Sequence, residues 1–336
     1  MSQQKQQQPS GPPYASPNAS PGGIPGVIPD VPVTAVLLGI YLAFAATNMT
    51  ILQLNLRRKH KFIISGALFG FSMSRVATCA LRLAWAAHTT DVRLAIAAGV
   101  FVNAGVLILY VVNLVFAQRL LRARRPALGW HRGLGLALRG FYAGIAVALV
   151  LVIYAIVQAS YTLRLSLLRV TRDIQLAAVT YLFVFTTLPV WLLLAAYVLP
   201  GRKVVGGEGH GVETETEAEA EMEMETFGSG TMGAKVAINA LATCVCVVIA
   251  GFKTGTLWES PRPVARAPWY DSKPAFYVFS FALEIGVLSL YTFTRVDRRF
   301  HVPDGSAGPG DYSRRAGGDG SVEKGERSDE SAPQRD

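Results

Sequence analysis

The stretch from Leu94 to Ala117 reads LAIAAGVFVNAGVLILYVVNLVFA and contains no charged residue. Its most polar side chains are the two amides of Asn103 and Asn113. A helix needs about 20 apolar residues to cross the hydrocarbon core of a bilayer. A helix that is apolar on every face has no side to turn towards water. The stretch therefore predicts a transmembrane helix.

Six further stretches are apolar over a similar length, and charges make the second and the seventh the weaker candidates. The seven predicted spans cover residues 33–56, 62–87, 94–117, 134–157, 174–199, 234–257 and 275–294. The chain of 336 residues is 51% hydrophobic and 16% charged, whereas soluble domains are about 25% charged. This composition excludes an ordinary soluble enzyme and a disordered protein. We predict an all-α fold, an integral membrane seven-helix bundle over residues 31–300.

Three polar tracts flank or interrupt the spans. Residues 1–30 are rich in Pro, Gln, Ser and Gly, and residues 301–336 in Gly, Ser, Asp, Glu and Arg. Both compositions predict disordered polar tails. Residues 201–233 form a long acidic loop in which Glu alternates with other residues from Glu208 to Glu225. This loop is either an inert low-complexity insertion or a docking strip for a basic cytosolic partner.

The basic residues predict the orientation, because Lys and Arg near the ends of spans favour the cytosolic side. Clusters follow the first span at residues 57–61, the third at 119–132 and the seventh at 295–299. The loop at 158–173 places three arginines on the opposite, extracellular side and is the main evidence against this orientation. We predict an extracellular N-terminus, a cytosolic C-terminus and the plasma membrane as the location. The net charge of +9 then belongs to loops beside the bilayer, and we expect no nucleic-acid partner.

The N-terminal tail carries one candidate modification site. Asn18-Ala-Ser20 is a sequon that an extracellular tail would expose to glycosylation. Pro21 follows the sequon directly and weakens such sites.

Four of the charged side chains within the predicted spans matter most: Arg75, Arg82, Lys253 and Glu284. Such a group costs roughly 2.5–3.5 kcal/mol at the bilayer centre unless it has a partner or faces a water-filled cavity. Arg75 and Glu284 both fall near the midplane, so we predict an ion pair that ties the second helix to the seventh. The alternative is that each pairs separately with backbone carbonyls or water.

Arg82 and Lys253 remain after this pairing, and the predicted spans hold no further acidic residue. Arg82 lies about 10 Å beyond Arg75 along the same helical face. Two cations facing one outward-open cavity would favour an anionic or lipid-derived ligand. Arg82, Lys253 and Asn103 are therefore the candidate ligand-binding residues. The alternative is that both cations snorkel to the interface.

The sequence holds no motif for catalysis or for a metal. It has no HExxH, Walker or G-x-S-x-G pattern, and its five histidines lie in loops or tails. The three cysteines, Cys79, Cys244 and Cys246, lie inside apolar runs and have neither the spacing nor the partners of a zinc site. We expect no enzymatic activity, no metal and no cofactor.

The second to fourth spans carry the most distinctive residues. They are Phe71-Ser-Met-Ser-Arg75, Cys79-Ala-Leu-Arg82, Trp85, Asn103-Ala-Gly105, Asn113, Ala117-Gln-Arg119 and Gly129-Trp-His131. This pattern resembles a fungal family of seven-transmembrane proteins of unknown function, often labelled as similar to family C G-protein-coupled receptors. The resemblance covers residues 33–300 and implies fungal origin, a seven-helix bundle and a receptor-like role.

The leading functional hypothesis is a receptor-like sensor of a small or lipid-derived ligand. It would signal to a cytosolic protein partner through the basic segment 119–132, the acidic loop and the C-terminal tail. The alternative is a transporter or lipid exporter, whose flux would depend on Arg75, Arg82 and Glu284. A third hypothesis, a structural organiser of the membrane, predicts neither flux nor ligand-dependent partner binding.

Overall fold

The computed structural model describes residues 11–58, 61–198 and 225–313. Within these ranges the chain is all-α and forms no β-strand. The helices are α1 (Asp30–Arg57), α2 (Ile63–Ala87), α3 (Val92–Gly105), α4 (Leu107–Arg124), α5 (Pro126–Gly129), α6 (Arg132–Tyr161), α7 (Leu165–Val198), α8 (Met232–Trp258), α9 (Lys273–Tyr277), α10 (Leu283–Phe293) and α11 (Val296–Arg299). A π-helical turn, Val278–Ala282, joins α9 to α10.

The described part of the chain contains seven helical stretches long and apolar enough to cross a membrane, which confirms the predicted fold class. They are α1, α2, α3 with α4, α6, α7, α8, and α9 with α10. The fifth begins at Leu165, earlier than predicted, so Arg169 and Arg172 lie on a helix and not in a loop. The loop predicted at 158–173, which argued against the orientation, is therefore shorter than the sequence suggested.

The distribution of polarity is that of a membrane protein. Large apolar side chains such as Leu136, Val150, Trp191 and Val248 are exposed on the outside of the bundle. Many polar side chains are buried inside it: Ser72, Arg75, Asn113, Asn239, Thr243 and Glu284. Only a hydrocarbon surrounding makes an apolar exterior favourable over so wide a surface. The chain is a multi-pass membrane protein in contact with the lipid bilayer.

The spans pack in a closed ring in which each neighbours the next, and α1 closes the ring against α10. The exception is α4, which contacts α2, α7 and α8 and so lies at the centre. Its residues Leu109, Leu114 and Phe116 are among the most completely buried of the chain. The third span therefore lies in the outer ring as α3 and continues through the centre of the bundle as α4.

The third span is broken at its middle. α3 ends at Gly105, and the backbone N–H of Val106 contacts the carbonyl of Ala104 and not that of Val102 one turn earlier. A side chain at position 105 would collide with its neighbours, since an added Cβ would lie 2.5 Å from Ser74 Oγ and 3.2 Å from Arg75 Cζ. Glycine thus permits the break and the close approach of α2 together.

Part of each predicted tail is packed against the bundle. Residues 11–29 run across the face that carries the helix-to-helix connections near 88–91 and 259–272, where the N–H of Ala19 donates to Arg262 O (2.8 Å) and that of Gly22 to Asp271 O (3.0 Å). We call this the N-terminal face. At the opposite, C-terminal face, Tyr312 is buried against Trp130 and Phe227. The predicted disorder therefore does not extend over residues 11–29 and 301–313.

Most of the predicted acidic loop lies outside the described residues. Its last glutamate, Glu225, is described and is buried. The carboxylate accepts hydrogen bonds from the N–H groups of Gly310 (2.7 Å) and Tyr312 (2.8 Å). This glutamate anchors the C-terminal segment to the bundle.

Candidate functional site

The centre of the bundle holds the ion pair that the sequence predicted. Arg75 Nε lies 2.6 Å from Glu284 Oε2, and Arg75 Nη2 donates to Glu284 Oε1 at 2.7 Å. Both side chains are completely buried. One charge-assisted hydrogen bond, from Nη2 to Oε1, and one close ionic contact, between Nε and Oε2, join the two groups. The pair ties α2 to α10.

The other side of the Arg75 guanidinium is satisfied by backbone. Its Nη1 donates to the carbonyls of Phe101 (3.2 Å) and Val102 (3.1 Å), in the last turn before the break in the third span. The carbonyl of Val102 is available because the N–H of Val106 turns elsewhere. The break therefore supplies acceptors to a buried cation, and the alternative of carbonyl pairing holds alongside the ion pair.

Lys253 belongs to the same cluster, which corrects the prediction that it is uncompensated. Its ammonium lies 3.8 Å from Glu284 Oε1 and 3.4 Å from the carbonyl of Val102. The side chain is 19% exposed, so it does not snorkel to open solvent. Two cations share one carboxylate, and the cluster carries a formal charge of +1.

A small cavity adjoins this cluster between α3, α4, α6, α7 and α8. It has a volume of about 40 Å³, and its polar lining residues are Asn103, Tyr110, Lys253 and Thr254. The Asn103 amide donates back to Gly99 O (3.0 Å). The other lining residues are apolar. The structure thus brings Lys253 and Asn103 to one cavity, which we call the core cavity.

Arg82 does not join Lys253 and Asn103, and the predicted outward-open cavity shared by two cations is wrong. Arg82 is 3% exposed and lies among three aromatic rings, with its Cζ 4.3 Å from the ring centre of Phe276, 5.9 Å from Tyr277 and 6.0 Å from Trp85. Its Nε and Nη2 have no hydrogen-bond partner among the described residues. The faces of aromatic rings are negative and stabilise a cation. Arg82 is a packing residue in this arrangement.

The N-terminal end of the bundle holds a second ionic network that the sequence analysis missed. Asp30 is buried and forms an ion pair with Lys273, while Tyr277 donates to Asp30 Oδ1 at 2.9 Å. The N–H of Gly26 donates to the same carboxylate at 2.7 Å. Asp30 fell outside the predicted first span, but the helix begins at this residue. A carboxylate just before an apolar run, where the first turn of a helix favours negative charge, was the available signal.

Between the core cavity and the C-terminal face, polar and aromatic side chains pack in a layer that closes the bundle. Asn113 donates to Thr243 Oγ1 (2.9 Å) and accepts from the Tyr291 hydroxyl (3.2 Å). The ring of Phe116 packs edge-on against Tyr291 and stacks on Phe300, with centroids 5.3 and 4.2 Å apart. These side chains separate the core cavity from the C-terminal face.

The predicted coupling segment 119–132 is partly engaged within the protein. Arg119 donates to the carbonyl of Phe300, and Arg124 lies 3.9 Å from the ring centre of Tyr197. Arg122 stacks on Trp130 at 4.2 Å. The guanidinium groups are therefore held in place by backbone and rings.

Asn18, the glycosylation candidate, is exposed on the N-terminal face beside Pro263. Its modification stays a prediction.

Comparison with known proteins identifies no relative of the chain. No family model, no curated protein and no solved structure matches the chain. The resemblance to fungal seven-transmembrane proteins stays a prediction, and function has to be argued from the site itself.

Proposed function

We propose that the chain is a receptor-like membrane sensor whose core cavity takes a small amphiphilic anion, with the carboxylate or an equivalent headgroup at Lys253. One observation carries the proposal. Glu284 is already held by two contacts from Arg75 at 2.6 and 2.7 Å, whereas Lys253 is 3.8 Å away. Lys253 is thus the one cation of the cluster that can change partner without breaking the pair between α2 and α10.

The charge of the cluster supports an anionic ligand. An uncompensated positive charge in a low-dielectric interior is costly, and an anion beside Lys253 would bring the local charge to zero. The volume of about 40 Å³ admits a headgroup the size of a few water molecules. The lining residues Leu149, Ile153 and Leu182 are only partly buried, so an apolar tail would lie between the helices towards the lipid.

The break in the third span supports a route for the signal. The carbonyl of Val102 accepts from both Arg75 and Lys253. If Lys253 moved towards a ligand, this carbonyl would accept from Arg75 alone. The loss of one hydrogen bond would change the position of α3 relative to α4 at the break. α4 continues to the C-terminal face, where a partner would read its position. Two-state elements of this kind carry coupling between distant sites.

The rival function is transport or lipid export, and one observation favours it. A second cavity lies at the other end of α4, and the layer around Asn113, Tyr291 and Phe116 lies between the two. Alternate opening of the two cavities would be a transport cycle. The continuous packing of that layer favours the sensor.

The test is ligand binding by the purified chain in lipid nanodiscs, with a fluorescent fatty acid as the probe and the matching fatty alcohol as its neutral analogue. We expect the acid to bind at least tenfold more tightly than the alcohol, because a hydrogen bond to a charged group is worth about 1.5–3 kcal/mol. Lys253→Met should abolish that preference. Arg262→Met, which removes an exposed charge from the N-terminal face away from the cavity, is the matched control and should change nothing.

Equal binding of acid and alcohol by the wild type would refute the proposed ligand class. Flux of the probe across proteoliposomes that is lost in Lys253→Met, at equal amounts of folded protein, would replace the sensor by the transporter. A chain that shows neither binding nor flux would point to the structural organiser.

A further inference from the structure

The second cavity lies at the C-terminal face, where residues 61–64, the end of α4 and the segment 301–306 meet beside Tyr312. Its volume is about 330 Å³, within the range of about 300–1,000 Å³ that small-molecule sites occupy. We call it the C-terminal cavity. It shares no lining residue with the core cavity.

The lining of the C-terminal cavity is cationic. Lys61, Arg119 and Arg122 contribute three positive charges, and Asp304 contributes one negative charge. None of the three cations forms an ion pair with a carboxylate within residues 11–58, 61–198 and 225–313. The lining of the cavity therefore carries a positive charge in excess of that of Asp304.

The two arginines are fixed by backbone carbonyls and aromatic rings. Arg119 donates to the carbonyl of Phe300 and lies 5.6 Å from the ring centre of Phe62. Arg122 donates through Nε to Gly129 O (3.3 Å) and stacks on Trp130 at 4.2 Å. A guanidinium has several further N–H donors in a rigid fork. Such preorganised forks suit a group with several acceptor oxygens.

Gly129 lets Arg122 adopt this position. An added Cβ at Gly129 would lie 2.5 Å from Arg122 Cα and 2.8 Å from its Cγ. The turn Pro126–Gly129 therefore lies directly against α4. This contact fixes the stem of Arg122 as Trp130 fixes its head.

The N-terminus of α2 reaches the same cavity. α2 begins at Ile63, and no side chain caps its first N–H groups. Phe62, Ile63 and Ile64 all line the cavity. The positive end of a 25-residue helix adds to the field of the three cations.

We propose that the C-terminal cavity binds a phosphate-bearing headgroup with at least two negative charges, held by Lys61, Arg119 and Arg122. The ligand is either the headgroup of an anionic lipid or a soluble phosphate compound, and both offer the same oxygens. In the predicted orientation the cavity faces the cytosol, where anionic lipids are concentrated. The proposal is independent of the core cavity and of Lys253.

The test uses the full chain in nanodiscs with two probes. The first is phosphatidylinositol bisphosphate in a phosphatidylcholine disc, and the second is soluble inositol trisphosphate added to discs of phosphatidylcholine alone. The variants are Lys61→Gln and Arg122→Gln. Lys61 makes no hydrogen bond or ion pair with the described residues, so its substitution leaves the fold intact and keeps the test decisive if Arg122→Gln fails to fold.

The matched control is Arg298→Gln, because Arg298 is exposed on the same face and does not line the cavity. We expect each cavity variant to weaken binding about tenfold or more and the control to bind as the wild type does. Binding of the lipid alone identifies a lipid headgroup, and binding of the soluble probe identifies a free phosphate compound. Failure of both probes to bind, or an equal loss in Arg298→Gln, overturns the proposal.

Discussion

Arg75 and Arg82 lie seven residues apart on one face of α2, and both are buried. Arg75 is paired with Glu284 and two carbonyls. Arg82 forms no ion pair with a described carboxylate and is surrounded by Trp85, Phe276 and Tyr277. The same residue type at equivalent helical positions is thus stabilised by an anion in one case and by ring faces in the other.

The difference matters for finding functional sites in membrane proteins. An intramembrane charge without a carboxylate indicates a ligand only if no other group compensates it. For Arg82 the rings of the ninth helix, α9, supply that compensation. Lys253 does adjoin a cavity. From the sequence, however, snorkelling was the simplest explanation for this residue. Compensation by neighbours, and not the charge alone, separates a packing residue from a binding candidate.

The largest loss of stability is expected when the carboxylate partner of Arg75 is removed. Glu284→Gln leaves Arg75 and Lys253 as two buried cations with no anion between them. Removal of one partner of a buried pair costs about 3–5 kcal/mol, so we expect most of the folded protein to be lost. The measurement is thermal unfolding in detergent, with expression level as a second readout.

The reciprocal change tests whether the pair itself is responsible. The double variant Arg75→Glu with Glu284→Arg restores opposite charges between α2 and α10. Recovery of folded protein above either single variant is expected. A swap that recovers nothing would mean that the carbonyls of Phe101 and Val102, and not the carboxylate, hold Arg75.

A smaller effect is expected at Arg82, because no carboxylate is stranded when it is replaced. The cycle of Arg82→Met, Phe276→Leu and the double variant isolates the contact between guanidinium and ring. We expect a coupling energy of about 0.5–2 kcal/mol, measured by thermal unfolding. A coupling of zero would show that the rings only fill space, and a coupling as large as the Glu284 effect would erase the distinction between the two arginines.

Much of this arrangement could be predicted from the sequence. Seven apolar stretches indicate seven spans because hydrocarbon accepts little else. Arg75 and Glu284 could be paired by depth alone, since each lies near the middle of its span. These predictions depend on chain position along the membrane normal, which counting residues gives directly.

The rest depends on how helices are rotated and broken, which counting does not give. The break after Gly105 brings the Val102 carbonyl to Arg75 and Lys253, and no Pro marks it. The π-helical turn before α10 changes the register of the seventh span beside Glu284. The ring cluster around Arg82 depends on which faces of α2 and α9 meet. Tertiary packing decides each of these.

The smallest effect concerns a third arginine, Arg295, which lies beyond the seventh span and is itself partly exposed to solvent, although its partner Asp297 is buried. Arg295 Nε donates to Asp297 Oδ1 (2.9 Å), with the arginine side chain 42% exposed. Burial alone would raise the pKa of Asp297, but the hydrogen bonds from Arg295 and Asn55 outweigh it and hold the pKa below its ordinary value. Because the arginine is partly exposed and solvent screens its charge, we expect the pair to contribute about 1 kcal/mol or less.

The sign of the pH dependence follows from that lowered pKa. The contribution of Asp297 is fully present above the ordinary carboxylate value of about 3.9. It is lost as the pH falls through the lower value of the folded state. We expect Asp297→Asn to lower Tm slightly at neutral pH, and the gap to the wild type to narrow in acid. A gap that stays constant under acidification would mean that the Asp297 contact is insensitive to its charge. The size of the effect would then no longer follow the burial of the three arginines.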